Sequence, residues 1–264
     1  MSHIGQPLPP QEPEATGLLR GKHVLVTAAA GTGIGFATAR RCAAEGATVV
    51  ISDRHERRLK ESADALAGEF GIEPLAIPCD VTVQADVDAL FDQAIDGIGH
   101  LDVVVNNAGL GGTADLHVMT DEQWNVVLDV TLNGTFRCTR RALQHLYDRG
   151  SGAIVNNASV LGWRAQAGQA HYAAAKAGVM ALTRSAAIEA APHGVRVNAV
   201  APSLAMHPFL AKVTTDDLLD ELTQREAFGR AAEPWEVANV IVFLASDLAS
   251  YMTGEVVSVS SQHP

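Results

Sequence analysis

The sequence predicts an α/β fold: a doubly wound parallel sheet between two helical layers, α/β/α, in a single domain. Three observations predict it. Short apolar segments alternate with amphipathic ones from residue 22 onward, the order expected of successive βαβ units. The first apolar segment runs into a glycine-rich turn that opens a helix, Thr27-Ala28-Ala29-Ala30-Gly31-Thr32-Gly33-Ile34-Gly35. A chain of 264 residues, 47% of them apolar, fills one large core and leaves little room for a second domain.

Residues 1–19 carry Pro7, Pro9, Pro10 and Pro13 among polar residues, so an extended or disordered arm is expected there, with the folded domain at 20–264. A strand over 24–27 feeds the glycine-rich turn and a helix over about 34–46. The next strand, 48–52, ends at Asp53 and leads to a charged helix over about 55–70. A third strand closes at Cys79-Asp80-Val81, and a buried run from Leu101 ends in Asn106-Asn107-Ala108-Gly109. Residues 121–149 read as one long helix with Trp124, Val127, Leu128, Leu132, Phe136, Leu143 and Leu146 as its apolar stripe. A strand over 153–158, an alanine-rich helix from Tyr172 and a strand over 195–200 follow. The insertion at about 203–230 contains Pro208, Phe209, Leu210, Leu218, Leu219, Leu222 and Phe228, apolar enough for a lid over a substrate. A helix with Pro234 in its first turn and a last strand over 253–259 complete the series.

Composition narrows the function. A formal charge of −11 argues against nucleic-acid or anionic-membrane partners, which need clustered Lys and Arg. Cys42, Cys79 and Cys138 are scattered, so they read as reduced core thiols and no metal site is expected. The first thirty residues hold no basic start followed by an apolar run, and no stretch is long and apolar enough for a membrane span; a cytoplasmic protein is expected.

Several residues carry chemistry. Glycines let backbone approach a pyrophosphate closely, and a helix amino terminus offers free N–H groups and a partial positive charge. Thr27, Gly31, Thr32, Gly33 and Ile34 therefore form a candidate nucleotide loop, the plain alternative being an ordinary turn. Asp53, twenty residues after Gly33, is placed to accept from both hydroxyls of an adenosine ribose, or simply to cap the following helix. A 2′-phosphate there would meet like charge, offset in part by Arg54, so NAD is expected over NADP. Ser159 follows a strand, at the end where open α/β sheets bind ligands. Tyr172 and Lys176 are four apart on a helix and share a face, where an ammonium would stabilise a phenolate and lower a pKa ordinarily about 10. A solvated surface pair is the plain alternative.

With these motifs in this order, residues 21–261 resemble the classical short-chain dehydrogenase/reductase family. The resemblance implies a Rossmann-like fold and hydride transfer between a nicotinamide and an alcohol or ketone, without metal. In it Tyr172 is the acid/base, Lys176 holds the nicotinamide ribose and Ser159 positions the reacting oxygen. Asp80 and Val81 flank the adenine, while Asn107, Ala108, Gly109 and Pro202 line the cofactor. It implies a homo-oligomer, a tetramer, built through the 121–149 helix and through small residues of the next one, Ala173, Ala174, Ala177, Gly178 and Ala181. Four departures stand out. The loop has one extra residue, with Ala28 for the first glycine. Thr131 replaces the family's asparagine, its hydroxyl being suited to a relay water or to its own i−4 carbonyl. Ser203 and His207 follow Pro202 where glycine and threonine are usual, and Ser260-Ser261-Gln262 replaces Asp-Gly-Gly. Together with Val160-Leu161-Gly162-Trp163-Arg164, these features look similar to a branch in actinobacterial steroid breakdown, which implies a ring remnant carried as a CoA thioester. A fatty-acid-type 3-oxoacyl-thioester reductase is the alternative within the family, and a nucleotide-binding relative without turnover is the alternative of another class. Ser159, Tyr172 and Lys176 together argue against the latter.

Overall fold

The computed structural model describes residues 10–206 and 216–262. Its strands are β1 (His23–Thr27), β2 (Thr48–Asp53), β3 (Leu75–Pro78), β4 (Val103–Asn106), β5 (Gly152–Asn157), β6 (Val195–Pro202) and β7 (Val256–Val259). They form one parallel sheet in the order β3-β2-β1-β4-β5-β6-β7. Strand order reverses between β1 and β4, and at such a point the loops leaving the carboxyl ends diverge and open a crevice.

Both faces of the sheet are covered, as near-continuous apolar strands require. Val24 and Val26 of β1 face α1 (Ile34–Ala44), α2 (Glu56–Phe70) and a late helix, Pro234–Ala245, through Ala39, Cys42, Leu59, Leu66 and Ile241. Leu25, one residue out of phase, faces the other way. It joins Phe91 of α3 (Gln84–Ile98) and Leu146 of the helix Gly134–Arg149 in the second core. Among the described residues, no helix is long and apolar enough to cross a membrane.

The 121–149 segment corrects the single helix expected there. It divides into α4 (Asp121–Leu128), a π-helical turn at Asp129–Asn133 and α5 (Gly134–Arg149). A π turn shifts the phase of everything after it, so the stripe read at 3.6 residues per turn runs out of register. Phe136 shows the result: it is exposed, with the Arg140 guanidinium 4.8 Å from its ring centroid. The next helices are α6 (Ala170–Ala190), α7 (Asp216–Gln224) and α8 (Pro234–Ala245). His207, Pro208, Phe209 and Leu210 of the expected lid lie outside the described residues. Leu219 is buried and Phe228 exposed.

The arm is also more than a loose extension from residue 10 onward. Glu45 at the end of α1 is fully buried, and its Oε2 accepts the N–H groups of Thr16, Gly17 and Leu18 at 3.0, 2.7 and 2.9 Å. Arg41 donates to the carbonyls of Pro13 and Glu14 and pairs with Glu45 at 2.7 Å, while Arg40 pairs with Glu12. Leu19 is then fully buried in the core. Burial alone would raise the Glu45 pKa, but the three N–H donors and Arg41 hold it below its ordinary value. Because the folded-state pKa is depressed, this stabilisation is present above the unfolded pKa of about 4.3 and is lost as pH falls through the lowered value. Glu45→Ala strands Arg41 and three amide donors, so it is expected to cost about 3–5 kcal/mol in denaturant unfolding at pH 7. The gap to wild type should shrink toward acid pH; a loss too small to shift the midpoint would show that the clamp does not hold the arm.

Candidate active site

The carboxyl ends of β1, β4 and β5 meet the amino-terminal half of α6. Thr27, closing β1, accepts the N–H groups of Asn107 and Ala108 at 3.0 and 3.3 Å, tying β1 to the β4 exit. The loop that follows carries strain at the first departure from the family pattern: Ala28 has φ +50°, a left-handed conformation that suits glycine. Gly31, at φ +100°, donates its N–H to Ser62 Oγ of α2 at 3.1 Å, and Ala30 donates to Asp53 Oδ2 at 3.3 Å. The longer loop is thus braced against α2 and β2. Thr32 is exposed, Gly33 is the N-cap of α1, and no side chain caps the free N–H groups of the turn that Ile34 begins.

Asp53 ends β2 half-buried, its other oxygen accepting the His55 N–H at 2.9 Å; it is not the cap of α2, whose N-cap is His55 without a side-chain cap bond. Asp80 accepts from both the N–H and the hydroxyl of Thr82. Burial pushes its pKa up, but the Thr82 donors, Arg54 and Arg137 bring it below the ordinary value. Val81 is buried against Gly134, where a Cβ would come within 2.7 Å of its side chain.

Polar pairs end two neighbouring strands. Asn106 and Asn156 sit side by side in the β4–β5 register and are fixed by Thr139 of α5 and Thr183 of α6. One residue on, Asn157 Nδ2 donates to Asn107 Oδ1 at 2.9 Å, and Asn107 donates to the carbonyls of Thr27 and Ala28. Lys176 Nζ donates to the Asn157 carbonyl. Asn157 is therefore a site residue that the sequence reading passed over, although the repeated Asn-Asn at both strand ends was its signal.

Ser159 begins a short 3-10 turn, Val160–Gly162, and its Oγ accepts the Leu161 N–H at 3.2 Å. The same side chain lies within hydrogen-bonding reach of Tyr172. As the i,i+4 spacing predicted, Lys176 Nζ lies 5.5 Å from the Tyr172 ring centroid. The expected lowering of the phenol pKa does not follow. Burial raises Tyr172 to about 12, against a smaller lowering from Ser159, and burial drops Lys176 to about 7. Dehydration moves both groups toward their neutral forms. Pro202 lies buried at the end of β6, and Gly109 is where a Cβ would meet Lys176 Nζ at 3.4 Å.

Of the two partners expected for the Thr131 hydroxyl, the i−4 carbonyl is not taken: the hydroxyl accepts the Leu110 N–H at 3.0 Å and donates to the Leu110 carbonyl at 3.2 Å. Thr135 caps the Thr131 carbonyl at 2.7 Å. Threonine here pins the loop after Gly109, a task its short side chain suits.

A family model described as "Enoyl-(Acyl carrier protein) reductase" matches residues 28–261. The chain belongs to the short-chain dehydrogenase/reductase family. It is 63% identical, over 97% of its length and 98% of the other's, to the Mycobacterium tuberculosis protein called (5R,7aS)-5-hydroxy-7a-methyl-1-oxo-2,3,5,6,7,7a-hexahydro-1H-indene-carboxyl-CoA reductase. It is 44% identical to cis-4-hydroxycyclohexanecarboxylate dehydrogenase of Sinomonas cyclohexanicum, over 90% of this chain and 95% of that one. A crystal structure of a short chain dehydrogenase from Mycobacterium smegmatis superposes with a TM-score of 0.86 at 59% identity, covering 97% and 98% of the two chains.

As a short-chain dehydrogenase/reductase the protein is an oxidoreductase that interconverts an alcohol and a ketone with a nicotinamide dinucleotide. Its own residues fit that cofactor. The amino terminus of α1 has no side-chain cap on its free N–H groups, and the missing side chain of Gly35 lets the Ala28 carbonyl and the Asn107 amide pack against its first turn, holding the loop beside that terminus.

Proposed function

We propose that the protein is an NAD(H)-dependent enzyme that interconverts a ring hydroxyl and a ring ketone on a compound carrying a carboxyl-CoA thioester, working as a reductase. The observation that carries the reading is geometric: beside the end of β5, Ser159 opens its short turn while Lys176 Nζ holds the Asn157 carbonyl and lies 5.5 Å from the Tyr172 ring centroid, with burial raising Tyr172 to about 12. A phenol held that high keeps its proton at neutral pH, the state needed to donate to a ketone oxygen.

A bound dinucleotide would supply the hydride. Tyr172 gives its proton to the ketone oxygen, Ser159 donates a hydrogen bond that orients that oxygen, and Lys176 offers its ammonium to the nicotinamide ribose while supporting the phenolate that forms. Asn157 fixes Lys176 through its carbonyl and, by way of Asn107, locks the nucleotide loop to the same frame. The first turn of α1 receives the pyrophosphate, and Asp53 the adenosine ribose. Asp80, Val81, Ala108, Gly109 and Pro202 complete the cofactor walls. The segment at about 203–230 closes over the substrate, and the working place is the cytoplasm.

The substrate class rests on the two relatives, whose names both describe a ring bearing an oxygen function and a carboxyl-derived group. Following nicotinamide absorbance with cyclic ketones, their carboxylates and their CoA thioesters tests it directly. NADH with a cyclic ketone thioester is expected to give the highest kcat/KM. Asp53→Ala should narrow the preference for NADH over NADPH, since a 2′-phosphate no longer meets like charge. Equal use of both dinucleotides by the unaltered enzyme would remove Asp53 from this role, and no turnover of any thioester would remove the substrate class.

We further infer a tetramer. Ala174, Ala181 and Ile188 are exposed on α6, and Phe136 is exposed on α5, so both helices present apolar surface. Sedimentation of a monomer at micromolar concentration would overturn this.

A further inference from the structure

Beyond the carboxyl ends of β5, β6 and β7, on the side of the sheet away from the nucleotide loop, a chain of polar side chains crosses three segments. Glu226, after α7, is 3% exposed. It accepts the Leu204 N–H at 3.3 Å, the Ser261 hydroxyl at 2.8 Å and the Gln262 side-chain amide at 2.8 Å. The amide oxygen of Gln262 accepts in turn from the Arg164 guanidinium. Leu204 follows the end of β6, Ser261 and Gln262 follow β7, and Arg164 lies five residues beyond Ser159.

The orientation of Gln262 is dictated by its neighbours. A carboxylate only accepts and a guanidinium only donates, so the amide must turn its NH2 to Glu226 and its oxygen to Arg164. The buried charge of Glu226 thereby aims a cation without touching it. Among the described residues no carboxylate lies within ion-pair distance of Arg164. Arg40, Arg41, Arg137 and Arg230 each hold one, the half-buried Arg196 gives its donors to the carbonyls of Leu244, Ala245 and Ser246 instead, and the chain has 30 acidic against 19 basic residues. In such a chain an arginine fixed by one neutral contact retains most of its five N–H donors for another acceptor.

We propose that Arg164 binds the acyl oxygen of the carboxyl-derived group on the substrate ring, with Gln262 and Glu226 as its positioning residues. This rests on the substrate class argued above. A planar fork of donors suits a carboxylate or a thioester carbonyl. Arg164 lies five residues after Ser159, just past the Val160–Gly162 turn, its backbone N–H bonded to the Val160 carbonyl, so one short segment carries both the donor to the reacting oxygen and this guanidinium. The Ser260-Ser261-Gln262 ending acquires a function here: Ser261 satisfies Glu226 and Gln262 carries its orientation to Arg164.

The test compares 4-oxocyclohexanecarboxyl-CoA, free 4-oxocyclohexanecarboxylate and cyclohexanone as substrates, with NADH saturating. Arg164→Gln is expected to raise KM about ten- to hundredfold for the two carboxyl-bearing ketones, the scale of one hydrogen bond to a charged group. It should hold kcat within about threefold, because the lost contact is made equally in ground and transition states. For cyclohexanone kcat/KM should not change. Arg164→Lys, which keeps the charge but not the fork, should fall between, and Glu226→Gln should raise KM for the same two compounds alone. A parallel loss on cyclohexanone would mean that the chain of side chains is only a structural latch, and unchanged KM values would remove Arg164 from the subsite; either result overturns the inference while leaving the substrate class standing. Wild-type enzyme that reduces cyclohexanone but neither carboxyl-bearing ketone would overturn both.

Discussion

Tyr172→Phe is expected to lower kcat for ketone reduction by about a thousandfold, within the range of 10²–10⁴ that a positioned general acid contributes, and to leave dinucleotide affinity close to that of wild type. The ring stays in its packed place on α6, so the cation near its face and the contact of Lys176 with the Asn157 carbonyl survive. Only the donor is lost. The two shifts also set the pH dependence of the unaltered enzyme. Tyr172 at about 12 remains protonated across the working range, whereas Lys176 at about 7 loses its charge there. The ammonium supports the phenolate that forms as the proton leaves, so reduction should be fastest below about 7 and fall as pH rises through the Lys176 value. Alcohol oxidation needs the phenolate at the start and should rise with pH instead. Stopped-flow reduction across pH 5.5–9, a range of about 3.5 units chosen to bracket these groups, separates the two. Full turnover in Tyr172→Phe would sink the mechanism, and a flat reduction profile would show that Lys176 keeps its proton through the reaction.

Much of this was legible in the sequence because it depends on short-range order. Strand alternation, the loop before α1 and the Tyr172–Lys176 spacing are set by local periodicity, and the structure keeps them. Two kinds of feature were not legible. One is phase: the π turn at Asp129–Asn133 costs the helical stripe its register and sends Phe136 outward, and no residue type announces such a turn. The other is pairing across long separations. Glu45 reaches the arm, Thr131 reaches Leu110, and Gln262 reaches Arg164. In each case the fold supplies a partner that lies far away in the sequence. The burial that inverted the expected Tyr172 shift belongs to the same class, since the depth of a pocket is a property of the whole packing and not of a four-residue interval.

Gly35→Ala is the substitution in which loop, fold and cofactor site are expected to fail together. Gly35 lies in the first turn of α1, and a Cβ there would stand 2.2 Å from the Ala28 carbonyl oxygen and 2.4 Å from Asn107 Nδ2. The first of these atoms is backbone, already in a left-handed turn, and the second is held by its bonds to the Thr27 and Ala28 carbonyls. Neither can retreat without breaking the Asn107 bridge that joins the nucleotide loop to Asn157 and Lys176. Helix propensity alone would favour alanine by about 1 kcal/mol, but overpacking against rigid atoms costs about 1–3 kcal/mol or more, so a net loss of stability is expected. Dinucleotide affinity should fall by at least about tenfold, or 1.4 kcal/mol, because the loop must move off the position that presents the α1 amino terminus. Gly68 provides the contrast. It lies exposed in α2 with nothing within 4 Å of its Cβ position, and there the propensity gain acts unopposed. Gly68→Ala should therefore raise stability by about 0.5–1 kcal/mol and leave nucleotide binding untouched. Thermal unfolding and NADH fluorescence titration of the two variants should move in opposite directions for stability and separate for binding. Equal behaviour would mean that the loop yields to a methyl group, and the bridge from Ala28 through Asn107 to Lys176 would then not be what holds the site together.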